Sequence, residues 1–157
     1  MTDPSWKELA NVKVAAKPEG LWNMVFPYVC GPRLLRVRAA GKDDKGKDVD
    51  TKWKPTANDE CGPNGLPKSP KTAATLLVSA APFGSMVGKI GGSTADLPDT
   101  SPGGTYSGRR VFPTGSYAVV TLTSADCGPL FMTINDSPEG FEDHSGELWI
   151  LIEEAPL

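Results

Sequence analysis

Short apolar runs separated by glycine and proline are the feature that most restricts how this chain can fold. About eight or nine such runs, each of roughly five to eight residues, are rich in β-branched and aromatic side chains and bounded by turn residues. No stretch of about 12 residues shows helical periodicity. The runs cover residues 9–15, 21–29, 35–39, 73–80, 85–90, 111–112, 116–123, 130–135 and 146–153. This succession predicts an all-β fold, a small jelly-roll β-sandwich.

The alternation of side chains within two of these runs predicts which face meets the core. Run 35–39 alternates apolar residues with Arg36 and Arg38, so one face is expected in water. Run 146–153 places three aliphatic side chains on one face: Leu148, Ile150 and Ile152. Two long loops, about 41–72 and 91–108, separate runs, and long loops in a compact domain are frequently functional.

Length and charge narrow the range of functions. The 157 residues predict one domain, 1–157, and a net charge of −3 without a basic face argues against nucleic acid as a partner. No run approaches the ~20 apolar residues of a membrane helix, so membrane insertion is not expected. Residues 1–20 lack the apolar segment of a secretory signal peptide. We therefore expect a protein that is cytoplasmic as synthesised, with export by a route that needs no signal peptide as the alternative.

The cysteine content argues against a zinc site and against a disulfide framework. The chain has three cysteines, Cys30, Cys61 and Cys127, and an odd number cannot all pair within one chain. No CxxC occurs, and the one histidine is remote from all three in sequence. The sequence therefore predicts neither a zinc site nor a disulfide framework.

The segment 134–146 is the most acidic connection between two strong strands. Four of its side chains are carboxylates: Asp136, Glu139, Glu142 and Asp143. Asn135 adds a neutral oxygen, and Pro138 and Gly140 can turn the backbone between the acids. Calcium takes about six to eight oxygen ligands, which such a loop can supply. Charge alone leaves two interpretations equally open, a cation site or an ordinary polar hairpin.

Several short motifs follow one another along the chain in a recognisable order. They are Trp6-Lys7, Ala39-Ala40-Gly41, Trp53 ahead of Gly62-Pro63-Asn64-Gly65, Val87-Gly88-Lys89-Ile90-Gly91, and Asn135-Asp136 with Pro138 and Ser145-Gly146. In this order and spacing the chain resembles, over nearly its whole length, the PA-IL (LecA) family of calcium-dependent, galactose-binding bacterial lectins. The resemblance implies a jelly-roll sandwich of the galactose-binding type.

The resemblance also implies a metal site in the loop 135–146. By position, Asp136 and Asp143 would bind calcium (Ca²⁺) through their side chains. Backbone carbonyls of Gly140 and of a residue near Thr56 would complete the shell. His144 stands where the family has an asparagine ligand, and imidazole nitrogen suits a hard cation poorly.

A galactose-terminated glycan is the partner that the resemblance implies. Its contacts would be Asp136, Ser137 and Asp143. Lys68, Lys71 or His144 would replace a histidine and a glutamine that the family carries after its GPxG turn. Binding at one site would be weak, so a homo-oligomer or a larger assembly would supply avidity. The rival hypothesis is a lectin-fold domain that has lost sugar binding and serves as a structural or protein-interaction domain.

An enzyme is not expected. His144 lies between Asp143 and Ser145, but neighbours along an extended chain do not point at one another, so a catalytic triad is not predicted. We expect His144 to be a loop side chain or a contact at the rim of a ligand site. Trp6 and Trp53 could either stack on a sugar or join the core, and the sequence does not decide between these.

Overall fold

Two four-stranded antiparallel sheets frame the protein and pack their apolar faces together. A computed structural model describes residues 5–68, 71, 75–97 and 109–157. The strands are β1 (Lys7–Ala15), β2 (Asn23–Cys30), β3 (Arg33–Ala40), β4 (Met86–Ile90), β5 (Arg110–Pro113), β6 (Tyr117–Leu122), β7 (Cys127–Ile134) and β8 (Glu147–Ala155). One sheet has the order β1-β8-β3-β6 and the other β2-β7-β4-β5. This arrangement confirms the predicted all-β sandwich.

The predicted core face of the last strand is also confirmed. Leu148, Ile150 and Ile152 are buried, whereas the side chains between them are partly exposed. Strand β8 is a central strand of its sheet, paired with β1 on one side and β3 on the other, and β7 is central in the second sheet. The connection between β7 and β8 therefore crosses from the middle of one sheet to the middle of the other. None of the helices in the described residues is long and apolar enough to cross a membrane.

The predicted run 73–80 is not a strand in its described part. Residues 73 and 74 lie outside the described residues, as do 98–108 of the second long loop. Leu76, Leu77 and Val78 are buried, yet residues 75–80 pair with no neighbouring strand. The amide of Leu77 instead donates to the carbonyl of Asp136, and that of Val78 donates to the side chain of Asn135. An apolar run predicts burial, but its backbone here is satisfied by a neighbouring loop instead of a sheet ladder.

The prediction that the cysteines form no disulfide was wrong. Cys30 and Cys127 form a disulfide across a sequence separation of 97, at the end of the β2–β7 pair where they stand opposite each other. Cys61 is the remaining thiol; it is buried, and burial raises its pKa to about 11. Counting cysteines could not reveal this bond, because pairing depends on which cysteines the sheet register brings together.

An ion-pair network covers the outer face of the first sheet. Arg36 donates two hydrogen bonds of 2.9 Å to the Glu153 carboxylate, and Arg38 lies 3.0 Å from the same carboxylate. The Arg36 guanidinium also stacks on Trp6, 4.2 Å from the ring centroid. Trp6 is therefore half-buried against a charged side chain. The hydrogen bond with Arg36 lowers the pKa of Glu153, burial opposes this, and Arg38 adds to the lowering.

This network predicts a pH-dependent contribution to stability. A carboxylate whose pKa is lower in the folded protein stabilises the fold above its unfolded pKa and loses that effect as pH falls through the folded pKa. Glu153→Gln should therefore lower the melting temperature at pH 7. The difference in melting temperature between this variant and wild type should disappear as the pH falls below about 4.5, the ordinary pKa of glutamate. Thermal unfolding between about pH 7 and pH 3 measures it.

The matched control for this prediction is Glu154→Gln. Glu154 makes one longer contact, 3.7 Å from Arg33. The melting temperature of Glu154→Gln at pH 7 should therefore differ less from that of wild type. If the melting temperature of Glu153→Gln differed from that of wild type by the same amount at every pH, the ionised carboxylate would not be the source of the effect.

Candidate functional site

The connection between β7 and β8 carries the side chains of the candidate site. After β7 the chain passes Ser137 and forms a short 3-10 helix, Pro138–Asp143, whose one buried side chain is Phe141. Proline at the start of this helix matches the fixed backbone angle that a helix needs there. The amide of Gly140 donates to the Ser137 carbonyl at 3.0 Å, and the amide of His144 donates to that of Phe141 at 3.2 Å. These bonds fold the acidic segment into a tight cap at one end of the sandwich.

Asp136 is the centre of the site and is almost completely buried. Its side chain is 1% exposed. One carboxylate oxygen, Oδ1, accepts hydrogen bonds from the Lys71 ammonium and from the amide of Ser137, the latter at 2.6 Å. The other oxygen, Oδ2, lies 2.7 Å from Nε2 of His144. Burial by itself raises the pKa of Asp136, but the bonds from His144, Lys71 and Ser137 outweigh burial and hold that pKa below its ordinary value.

His144 lies in the loop after the 3-10 helix, as one of the two sequence-based alternatives had it, and it forms the base of the site instead of its rim. Its side chain is fully buried, and its ring is 4.5 Å from that of Phe141. Nδ1 lies 2.8 Å from the carbonyl oxygen of Ala16, while Nε2 faces Asp136. A carbonyl and a carboxylate both accept hydrogen bonds, so both contacts are satisfied when each ring nitrogen carries a hydrogen, as in the imidazolium ion.

Lys71 closes the site toward solvent. Its side chain is 29% exposed, and its ammonium contacts Asp136 and donates to the Ser137 hydroxyl at 3.0 Å. The ammonium also lies over the ring of Phe83, 5.2 Å from the centroid. Gly140 packs directly against this pair, since a Cβ at that position would overlap both the Asp136 carboxylate and the Lys71 ammonium. Only glycine leaves room for the pair.

The structure does not bring Asp143, Lys68 or Thr56 into the hydrogen-bonded cluster around Asp136. Asp143 and Lys68 are exposed. Thr56 is half-buried and supports a turn, where its hydroxyl donates to Asp59 at 2.9 Å and accepts from two backbone amides. Trp53, left open by the sequence, belongs to the core, with its indole donating to the Gly84 carbonyl at 2.9 Å.

Asn135 has a structural role that the sequence did not reveal. It was considered as an oxygen donor for calcium, but its side chain is fully buried and holds the segment 75–82. Its oxygen accepts from the amide of Val78 at 2.9 Å, and its nitrogen donates to the carbonyls of Val78, Ala81 and Pro82. The neighbouring Asp136 is thereby positioned beneath that segment.

In this arrangement the predicted calcium ligands do not form an oxygen shell. Both oxygens of Asp136 face nitrogen donors, and Asp143 points its charge to solvent at the end of the 3-10 helix. Within residues 5–68, 71, 75–97 and 109–157, no three histidine, cysteine, aspartate or glutamate side chains come together in a group that could hold a metal ion. Calcium binding stays a prediction, and it would require the loop to rearrange.

The geometry also bears on the catalytic alternative. Ser145 is exposed and exchanges backbone hydrogen bonds with Lys54, away from the buried ring of His144. His144 takes Asp136 as its carboxylate partner, eight positions earlier, and not the adjacent Asp143. Phe83, Phe141 and the Ala16 carbonyl also contact the cluster, and no sequence motif indicated that they would.

Comparison with known proteins finds a similar fold but no match to a family model or a curated protein. Among solved structures, the chain is similar to a protein described as the EclA N-terminal domain, a PllA-like lectin, with a TM-score of 0.54 and 14% identity. The match covers 96% of this chain and 98% of that chain. At this identity the likeness shows a shared fold over nearly the whole length of both chains.

Proposed function

We propose that this protein is a carbohydrate-binding module of the lectin type, not an enzyme, and that it binds a galactose-terminated glycan at the cap formed by residues 135–146. The observation that carries this proposal is the match of nearly the whole chain to a PllA-like lectin domain. Fold alone does not determine function, so the loop supplies the second part of the argument.

The loop offers the kinds of groups that bind sugar hydroxyls. The Lys71 ammonium is partly exposed and lies beside the Ser137 hydroxyl, and Glu139, Glu142 and Asp143 are exposed carboxylates of the same loop. Ammonium groups donate hydrogen bonds and carboxylates accept them, so a hydroxyl-rich ligand can be held from both sides. Few ligand atoms would be buried, and affinity at one site should be about 0.1–1 mM.

A glycan array tests the proposal. We expect signal on galactose-terminated glycans when the protein is presented multivalently, since avidity compensates for weak single sites. Lys71→Met should abolish that signal. The matched control is Lys45→Met, which removes an exposed lysine from the turn 43–47, outside the cap residues 135–146. A blank array with folded, multivalent protein would contradict the proposal.

The second candidate is a lectin-fold domain whose partner is another protein. One observation favours it: Asp136, which the resemblance assigns to the sugar, is 1% exposed and covered by Lys71. A blank array would support this candidate.

A further inference from the structure

We propose that the Lys71 ammonium is the resident cation of this loop, in the position for which the sequence predicted a divalent ion, so that neither the fold of the cap nor ligand binding at it requires a metal. The part about ligand binding rests on the proposed function; the part about the fold does not.

The electrostatic requirement of Asp136 is the first step. A carboxylate that is removed from water needs a positive partner and hydrogen bonds to its oxygens. Lys71 supplies the charge at Oδ1, and His144 supplies a donor at Oδ2. The amide of Ser137 adds a further donor at 2.6 Å. The carboxylate is therefore neutralised and hydrogen-bonded by the chain itself.

The surroundings of the ammonium are the second step. Phe83 turns its ring toward Lys71, and an aromatic face attracts a cation. Gly140 leaves the space that the ion pair fills, because any side chain there would collide with both partners. The aromatic ring of Phe83 and the space left by Gly140 suit an ammonium group. Calcium, in contrast, prefers a shell of oxygen ligands.

Competition between the two cations is the third step. A divalent ion could reach Asp136 only by displacing Lys71, which would leave the ammonium without its carboxylate. The remaining acids of the loop, Glu139, Glu142 and Asp143, are exposed and separate from Asp136. Exposed carboxylates hold an ion weakly when they do not converge on it. Lys71 therefore outcompetes calcium in the closed loop.

Thermal unfolding of the wild-type protein with calcium and with chelator tests the fold part directly. We expect the two melting temperatures to agree within about 1 °C. A real calcium site at about a hundredfold excess over its Kd would raise the melting temperature by roughly 5–10 °C. Such a rise, or a calorimetric heat of calcium binding by the wild type, would overturn the proposal.

Lys71→Met gives the complementary result, because it removes the charge while keeping a long apolar side chain. We expect a lower melting temperature, and part of the loss should be restored by calcium, since Asp136 is then without its ammonium. Lys71→Arg keeps the charge and should stay insensitive to calcium. Lys45→Met should match wild type in every condition. A Lys71→Met protein as stable as wild type would overturn the proposal. If Lys71→Met does not fold, the calcium dependence of the melting temperatures of wild type and of Lys71→Arg still tests the proposal.

A glycan array run with calcium and with chelator separates this proposal from the proposed function. Signal that persists in chelator supports both. Signal that chelator abolishes keeps the lectin and overturns the role of Lys71. A blank array, with melting temperatures unaffected by calcium, overturns the proposed function but still supports Lys71 as the cation of the loop.

Discussion

Replacing Asn135 with alanine should lower the free energy of unfolding by about 3–5 kcal/mol, one of the two largest effects expected for this protein. The side chain is fully buried and bonds to the backbone of the segment 75–82 at four points. Alanine would leave a buried amide and up to three carbonyls without that partner, and each buried unsatisfied group costs roughly 1–3 kcal/mol.

Chemical denaturation of Asn135→Ala measures this loss. Asn58→Ala is the matched control, since Asn58 is exposed in the loop after Trp53 and should change stability by less than about 0.5 kcal/mol. Hydrogen exchange gives a second readout, in which the amides of Leu77 and Val78 should lose protection. An Asn135→Ala protein within about 1 kcal/mol of wild type would show that the segment is held by its apolar side chains alone.

Loss of the disulfide should be the second large effect. Cys30 and Cys127 close a loop with a sequence separation of 97, and a closed loop of that length restricts the unfolded chain. Removing a disulfide from a small domain costs about 2–5 kcal/mol, and the chain-entropy estimate for a loop of about 100 residues lies at the upper end. Denaturation with and without a thiol reductant measures the loss.

The double variant Cys30→Ser with Cys127→Ser is the control for reduction. It should unfold at the lower stability of the reduced protein and show no response to reductant. Alkylation of the unfolded, non-reduced protein should label Cys61 alone, which mass mapping reports. Labelling of all three cysteines without reductant would contradict the bond.

The strands could be read from the sequence because their signal is local. Successive side chains on a strand point to opposite faces, so the buried face of β8 follows from the spacing of Leu148, Ile150 and Ile152. The run 73–80 was misassigned for a related reason. Its apolar residues correctly indicate burial, but burial alone does not distinguish a strand from a loop held by Asn135.

The sequence indicated where a polar cluster lies, but not which side chains meet in it. The acidic loop between two strong strands marked residues 135–146, and the structure brings together Asp136, Ser137 and His144 there with Lys71. The sequence could not show that Lys71 faces Asp136, or that His144 lies beneath the loop. Both depend on contacts between residues far apart in sequence, Lys71 with Asp136 and His144 with Ala16.

The sequence by itself determined the all-β architecture, the core face of β8 and the acidic connection between β7 and β8. Each of these follows from residue types within a few positions of one another. Tertiary structure alone decided which distant side chains meet: Lys71 and Asp136 are 65 positions apart, and Cys30 and Cys127 are separated by 97. Such contacts depend on sheet register and on the stacking of two sheets, which many weak interactions along the whole chain set together.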